Sequence, residues 1–388
     1  MIINEVVEPT AKKASWIGSL YYLSLFIGAG SYMPFLFVYF SEMGLNGKQI
    51  GLLAILSPSL MMLLSMPIAT LADRHRLRVR ITQLANLGVC IVIFLLQFPK
   101  SFTGIVVLML ISAIFNSSSS IAESLVARMA QRHSLNYGTM RLWGSLGYAL
   151  SALAFGVVWQ RLGFDYLFVV ASLLFVPLIW FSGRLEEGVS AQQQEAKSVF
   201  SLLRDRGLLL LTLATFLSGI SNSMAMTFSG IYAKGLGGGN FLVGLMIAAA
   251  AFAELPAMFY NERVASYLKS PHTIVLSYAL MVLGYLGYIF TPTPNLIPLF
   301  SVIKGLGYGL WITQTIRMVT HRTPEHWGAT AQSLVTVSIF GLAPLVANPL
   351  GGWINDAFGT RAVFWLGVGS LALAAAIIVT AVKYKHIE

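Results

Sequence analysis

The chain is short of acidic residues, of charge in general and of cysteine. Only 15 of its 388 residues are Asp or Glu, against 25 Lys and Arg, and charged residues make up 10% of the sequence, where soluble domains have roughly 25%. So little charge cannot cover the surface of a soluble enzyme, and a chain that is 56% apolar is not a disordered one. A single cysteine, Cys90, excludes an internal disulfide and a cysteine-based metal site.

Long apolar runs take the place of the missing charge. The mean hydropathy is +0.75, and twelve runs are long enough to cross a bilayer as helices of about 20 residues. The runs are continuously apolar, which is not the alternation of β-barrel strands. They cover approximately residues 16–40, 48–71, 81–98, 101–127, 138–160, 164–183, 207–233, 241–261, 272–290, 295–318, 327–354 and 362–382. The sequence therefore predicts an all-α membrane protein with twelve transmembrane helices.

Basic residues are distributed unequally between the loops. With both termini in the cytoplasm, 18 Lys and Arg fall on the cytoplasmic side and five on the other side, which follows the positive-inside rule. The sequence pI of 9.7 therefore reflects topology and does not indicate nucleic-acid binding. We predict a multi-pass protein of the inner (plasma) membrane whose first apolar run, too long for a signal peptide, is an uncleaved helix.

Two glycine patterns recur at about half the chain length. Tyr-x4-Gly-x6-Gly-Leu begins at Tyr39 and again at Tyr232, and Gly-x6-Gly-x4-Phe begins at Gly156 and again at Gly352. The separations are 193 and 196 residues, close to half of the 388-residue chain. Repetition at this period indicates an internal duplication.

The longest polar stretch inside the chain lies near its midpoint. It predicts a six-helix bundle over 1–183, a cytoplasmic linker over 184–206 and a second, pseudo-symmetric six-helix bundle over 207–388. Duplicated bundles of this kind build secondary transporters, whose site lies between the halves near the bilayer midplane.

Four charged residues lie inside the predicted spans and away from the ends of those spans. They are Glu123 and Arg141 in the first half and Glu254 and Lys304 in the second half. Each charge costs on the order of 2.5–3.5 kcal/mol at a helix centre, so such residues face a wet cavity or a partner. We predict the pairs Glu123–Arg141 and Glu254–Lys304. One interpretation is that these pairs bind the solute and couple its transport to protons. The alternative is that they are structural locks that hold one conformation.

Polar and aromatic residues accompany these charges at helical spacing. Asn116 and Ser119 precede Glu123, Tyr148 follows Arg141, and Tyr308 and Trp311 follow Lys304. The alternatives are backbone hydrogen bonding for the serine and packing or interfacial anchoring for the aromatic residues. The predicted substrate-binding set is Glu123, Arg141, Tyr148, Asn116, Ser119, Tyr308 and Trp311.

A charged loop follows the second span. Asp73, Arg74 and Arg78 lie within Ala69–Arg78 and predict a cytoplasmic gate held by ion pairs. The alternative is that the basic residues only satisfy the positive-inside rule.

This loop resembles the Gly-x3-Asp-Arg-x-Gly-Arg-Lys/Arg motif of the major facilitator superfamily. It matches the motif at Asp73, Arg74 and Arg78, and it departs from it at Ala69, Arg76 and Leu77. The stretch Tyr137–Gly147, with Pro34-Phe35 and the Gly44–Gly51 turn, is similar to the lactose-permease and phenylpropionate-permease branch.

The resemblance implies roles for five residues. Glu123 and Arg141 match the acid and arginine that hold substrate in lactose-permease-type carriers, and Tyr148 falls where those carriers stack an aromatic ring on the sugar. Glu254 and Lys304 match the acid and the lysine of the C-terminal half.

The proton relay of that branch is mostly missing. Gly307 and Leu310 stand where those carriers have His and Glu, and Gly284 stands where they have Arg. Sugar specificity therefore does not follow from the resemblance alone.

Together these features predict a proton-coupled symporter that imports a small polar organic solute, either an aromatic acid, a sugar or a nucleoside. Glu254 would carry the proton, with Lys304 as its counter-charge. The alternatives are a proton-driven exporter of drugs or metabolites, and a permease for a larger solute such as a siderophore or a peptidoglycan fragment. We expect no enzymatic activity, no metal and no cofactor besides the proton gradient. The expected partners are the solute, protons and the lipid bilayer, and a monomer is the expected working form.

Overall fold

The computed structural model describes residues 9–187, 205–323 and 328–384, which are almost entirely helical. Most of the predicted linker, residues 188–204, lies outside the described residues. The helices are α1 (Pro9–Glu42), α2 (Gly47–His75), α3 (Arg78–Leu95), α4 (Phe102–Asn116), α5 (Ser119–Arg132), α6 (Tyr137–Leu162), α7 (Leu167–Ser182), α8 (Arg206–Gly235), α9 (Asn240–Phe259), α10 (Asn261–Leu268), α11 (Ser270–Phe290), α12 (Ile297–Arg322), α13 (Gly328–Thr336), α14 (Ala343–Phe358) and α15 (Thr360–Lys383).

Eleven helical segments of the described chain are long and apolar enough to cross a membrane. The helix α7, with 16 residues, is a shorter apolar helix at the place of the sixth predicted span. Over the described residues, every predicted apolar run coincides with one helix or with successive helical segments, and no strand occurs among these residues. The prediction of an all-α membrane protein is confirmed.

Two spans contain irregular turns that hydropathy does not reveal. The fourth span breaks at Ser117 and Ser118, so that α4 ends at Asn116 and α5 begins at Ser119. In the eleventh span, a π-helical turn over Val337–Leu342 precedes α14. Proline cannot donate the regular helical hydrogen bond and its ring clashes with the preceding turn, and Pro344 at the start of α14 accounts for the wider turn before it.

Contacts divide the chain into two compact units. The first unit comprises the described residues within Met1–Met33 and Leu60–Gln192, and the second those within Pro34–Ser59 and Gln193–Glu388. In the first unit, α3 packs against α4, α5 and α7. In the second unit, α12 packs against α9 and α11, and α15 packs against α8 and α11. The predicted boundaries at 183 and 207 stay a prediction.

The start of α2 is held inside the second unit by the end of α14. The backbone N–H groups of Gly47 and Lys48 donate to the two carboxylate oxygens of Asp356, at 2.5 and 3.0 Å. A carboxylate at a helix N-terminus satisfies unpaired N–H groups and opposes the positive end of the helix dipole. A Cβ atom on Gly352 would lie 2.2 Å from the carbonyl oxygen of Gly47, so only glycine permits this approach.

The repeated glycines serve the same purpose in both halves. Gly44 and Gly237 come from the first repeated pattern, and Gly163 and Gly359 come from the second; all four have φ between 67° and 91°. They are the only glycines with positive φ among the described residues. Because this backbone region favours glycine, the patterns recur where the turns between helices require it.

A third pair of equivalent positions has basic residues in place of glycine. Arg76 has φ 52° and Lys269 has φ 62°, and they lie 193 residues apart, the same separation as Gly44 and Gly237. Arg76 is also a position at which the loop departs from glycine in the motif it resembles. The backbone at both residues is therefore strained, and a glycine at either position would relieve that strain.

We predict that Arg76→Gly and Lys269→Gly each stabilise the protein, by roughly 1 kcal/mol or less. Positive φ costs a non-glycine residue about 1–2 kcal/mol, and the greater backbone entropy of glycine offsets about half of that. Thermal unfolding in detergent measures the change. Arg74→Gly, in the last turn of α2, is the control and should destabilise. A lower melting temperature for both variants would show that the turns are not strained.

Candidate functional site

An ion pair lies at the centre of the candidate site in the first unit. Arg141 Nη1 donates to Glu123 Oε1 at 2.8 Å and to the Tyr137 hydroxyl at 3.3 Å. The Tyr137 hydroxyl is in turn 2.8 Å from the Tyr22 hydroxyl. We refer to Glu123, Arg141, Tyr137 and Tyr22 as the charged face. The structure thus forms the predicted pair between α5 and α6 and adds two tyrosines to it.

The ion pair of the charged face is open, whereas the Tyr22 side chain is buried. The side chains of Arg141 and Glu123 are 48% and 53% exposed, although both lie in helices of membrane-spanning length. Contact with lipid at these positions would cost several kcal/mol, and intramembrane charges accordingly face a bundle interior or water. The pair is therefore placed where a polar solute could contact both charges.

Aromatic rings flank the charged face. The guanidinium carbon of Arg141 lies 5.9 Å from the centre of the Tyr22 ring, within the range of a cation–π contact. Phe26 contacts both Tyr22 and Tyr148, with ring centroids 6.4 and 6.3 Å away. Tyr148, the predicted stacking residue, is half-buried and has further contacts. The structure brings Tyr148 to the same side of the first unit as Arg141 through Phe26.

Asn116 and Ser119 lie next to Glu123, with Ser119 on the same helix and Asn116 across the break in the fourth span. The three residues line one cavity of about 60 Å³ that is confined to the first unit. Asn116 Nδ2 donates to Ser112 Oγ at 3.2 Å, which leaves its amide oxygen available to the cavity. Helical spacing gave the correct neighbours, although the chain between them is not a continuous helix.

The corresponding residues of the second unit are more buried and not joined. Glu254 on α9 and Lys304 on α12 are both half-buried, and no ion pair within 4.0 Å joins them in the described chain. The predicted contact is therefore absent in this conformation. Tyr308 is half-buried, whereas Trp311 is fully buried against Tyr308 at 5.5 Å between ring centroids. The substrate roles of Tyr308 and Trp311 stay predictions.

Comparison with known proteins identifies the family. The model of the MFS_1 like family matches residues 15–366. The chain belongs to this family. It is thus a membrane transporter of the major facilitator superfamily, as its loop motif and Tyr137–Gly147 suggested.

Relatives of this superfamily member transport different solutes. It is 27% identical over 353 residues to the maltose permease of Geobacillus stearothermophilus, covering 89% of each chain. It is 22% identical over 355 residues to the multidrug resistance protein MdtG of Salmonella paratyphi A, covering 87% of each.

Solved structures show the same fold. The nucleoside transporter NupG superposes with a TM-score of 0.79 at 14% identity, covering 97% of this chain and 100% of that one. A bacterial homologue of the lysosomal transporter Spinster superposes with a TM-score of 0.75 at 15% identity, covering 98% and 99%.

In this transporter, the residues of the superfamily loop motif form an ion pair and backbone hydrogen bonds. Asp73 and Arg78 form an ion pair across the α2–α3 turn, and Arg74 is exposed. The backbone N–H groups of Arg78 and Val79 donate to the carboxylate of Glu187, at 2.8 and 3.0 Å. All of these contacts lie within the first unit, and a gating role for the loop stays a prediction.

Close helix packing leaves no room for the relay side chain at two of the three positions, Gly307 and Gly284, where this transporter departs from the lactose-permease branch. A Cβ atom on Gly307 would lie 2.7 Å from the carbonyl oxygen of Ser277, and one on Gly284 would lie 2.8 Å from Lys304 Cβ. Neither position has room for the His or the Arg of that branch. Small residues at such contacts allow membrane helices to approach closely.

Sequence reasoning missed Tyr22 and the role of Tyr137. Tyr137 lies four residues before Arg141, the spacing that places two side chains on one helix face, and this signal was available. Tyr22 lies on α1, 115 positions from Tyr137, and no local pattern connects the two.

We predict that Gly284→Ala destabilises the transporter relative to Gly369→Ala. The added Cβ at 284 meets the backbone and Cβ of Lys304 and the carbonyl oxygen of Phe300 at 2.8–3.1 Å, whereas nothing lies within 4 Å of one at 369. Both changes gain the same helix propensity over glycine, so their difference isolates overpacking, about 1–3 kcal/mol. Melting temperatures of the purified variants provide the measurement. Equal melting temperatures would contradict the close packing of α11 on α12.

Proposed function

We propose that the chain is a proton-coupled symporter that imports a neutral, hydroxylated solute of sugar or nucleoside type by alternating access. The observation that carries the proposal is the half-exposed Glu123–Arg141 pair with its bonded tyrosine. We further propose that it works as a monomer in the inner membrane, with both termini in the cytoplasm and the proton gradient as its energy source.

The charge balance favours a neutral solute. Glu123 and Arg141 contact each other. The pair therefore presents an acceptor group and a donor group to a solute, and its two charges sum to zero. Glu254 and Lys304 also sum to zero. A solute with several hydroxyl groups can accept from the guanidinium and donate to the carboxylate, because these groups form strong charge-assisted hydrogen bonds. An aromatic acid would instead add an unbalanced negative charge.

Aromatic rings beside the pair suit a solute that contains a ring. The half-buried rings of Phe26 and Tyr148 form a connected aromatic group with the buried Tyr22 next to Arg141, and the accessible faces of such rings pack against the apolar face of a sugar or against a nucleobase. The maltose permease relative and the nucleoside transporter that shares the fold are consistent with this solute class.

The second unit supplies the proposed proton site. Glu254 has no ion-pair partner within 4.0 Å among the described residues, so a proton can neutralise it without breaking a salt bridge. Lys304 is the nearby base whose charge opposes that protonation. Binding a proton on one side of the membrane and releasing it on the other would couple solute import to the gradient.

Export is the second candidate function. The multidrug resistance relative MdtG favours it, and a carrier of the same fold could run in that direction. Solutes as large as a siderophore or a peptidoglycan fragment remain within the capacity of such carriers. The open ion pair argues for a specific polar solute over a range of apolar drugs, because a polyspecific drug site is largely apolar.

Uptake into energised right-side-out membrane vesicles tests the proposal and its direction. We expect accumulation of radiolabelled maltose or uridine that an uncoupler abolishes. Glu254→Gln should abolish accumulation and retain exchange of solute across the membrane, because a glutamine cannot carry the proton.

Glu262→Gln is the matched control, because Glu262 is an exposed acid eight residues along the chain. It should transport like the wild type. Full accumulation by Glu254→Gln would contradict the coupling role. Faster loss of preloaded solute on energisation would indicate the exporter.

A further inference from the structure

A small polar pocket extends from Glu123 into the first unit. It holds about 60 Å³ between α1, α3 and the broken fourth span, with Glu123, Asn116 and Ser119 on one side. Thr82 and Asn86 of α3 line the opposite side. The pocket therefore continues the charged face inward, toward a helix that sequence reasoning did not connect with the site.

Polar atoms on the α3 side of the pocket have no hydrogen-bond partners in the described chain. Thr82 is 1% exposed and its Oγ1 is unpartnered, and Asn86 Nδ2 is likewise unpartnered. The Asn86 amide lies near the Tyr21 hydroxyl without meeting hydrogen-bond geometry. A buried donor or acceptor left unpaired destabilises the folded protein, so these atoms favour a polar ligand group or water.

The two residues share one face of α3. They lie four residues apart, at the spacing that stacks side chains on a helix, and one further turn toward the N-terminus lies Arg78, whose Nη1 is also buried without a partner. The polar stripe thus points into the first unit, and only its Thr82–Asn86 part borders the pocket.

The broken span adds polarity on the other side. The N-cap residue of α5, Ser118, makes no capping hydrogen bond, because its hydroxyl donates back to the Phe115 carbonyl at 2.8 Å. Half-helix ends inside a membrane are used by transporters to hold polar groups of their cargo. Together with the unpartnered Thr82 hydroxyl, this end makes a polar pocket of the right size for one hydroxyl or carbonyl group.

We propose that this pocket is a specificity subsite, in which Thr82 and Asn86 bind a hydroxyl or carbonyl group of the transported solute. The inference rests on the proposed function, because it assumes a neutral hydroxylated solute at the Glu123–Arg141 pair. Residues of α3 are then part of the recognition surface. The pocket selects for solutes that have a second small polar group besides the one bound by the Glu123–Arg141 pair.

Thr82→Val is the decisive variant, because it keeps the shape and removes the hydroxyl. Loss of an unpartnered buried hydroxyl should raise the melting temperature of the solute-free protein. Loss of a hydrogen bond to solute should weaken binding of radiolabelled maltose or uridine roughly fivefold. A purely structural threonine would not combine a gain in stability with a loss in affinity.

Thr215→Val is the matched control. Thr215 is also fully buried with an unpartnered Oγ1, but it lies in the second unit and does not line the pocket. It should raise the melting temperature without changing affinity. Unchanged affinity in Thr82→Val would overturn the subsite and indicate a pocket for water. Absence of binding by both solutes to the wild type would instead contradict the proposed function, and the subsite with it.

Accessibility provides a test that needs no solute. Thr82→Cys should react with the small thiol reagent methyl methanethiosulfonate, because the pocket opens beside the exposed Glu123. Ile93→Cys, a position on the same helix that is as buried as Thr82 at 1% exposure but lies outside the pocket lining, should be inert, after Cys90 is replaced by serine in both variants. An inert Thr82→Cys would overturn the proposal regardless of which solutes bind.

Discussion

The structure depends on the cost of a charge in a membrane. Glu123 and Arg141 avoid that cost by contacting each other at 2.8 Å and by remaining half-exposed, because an ion pair in a wet recess loses far less solvation than a lone charge in lipid. A tyrosine hydrogen bond, an aromatic group and a pocket at the break of the fourth span lie beside this pair.

In the second unit, glycine residues allow the helices to pack closely. Its helices α9, α11 and α12 approach so closely that a Cβ atom on Gly305 or Gly309 would lie 2.3 or 2.8 Å from a carbonyl oxygen of α9. This packing positions the Glu254 backbone firmly while its side chain has no ion-pair partner in the described chain. The repeated glycine turns occur in both halves, but the first unit has a half-exposed ion pair and the second has a closely packed acid without an ion-pair partner among the described residues.

The fold was largely predictable, and the details of the site were not. Apolar runs predicted the helices of the described chain that are long enough to cross a membrane, because burial of apolar surface is a strong and local signal, and the repeated glycines at Gly44 and Gly237 predicted turns of the same backbone conformation. The break at Ser117–Ser118 leaves no trace in hydropathy, and the contact between Tyr22 and Tyr137 depends on how α1 packs against α6. Likewise, Glu254 and Lys304 have complementary charges, yet no ion pair within 4.0 Å joins them in the described chain.

Equilibrium binding of maltose and uridine to a Glu123→Gln/Arg141→Gln double variant tests the central claim most directly. Each single variant leaves one unbalanced charge and should lose stability. The double variant removes both charges, so its melting temperature should return close to that of the wild type. If the pair binds solute, its affinity should remain at least about tenfold below the wild type, the loss expected for charge-assisted hydrogen bonds of roughly 1.5–3 kcal/mol. Wild-type affinity in the double variant would show that the pair is only a structural lock.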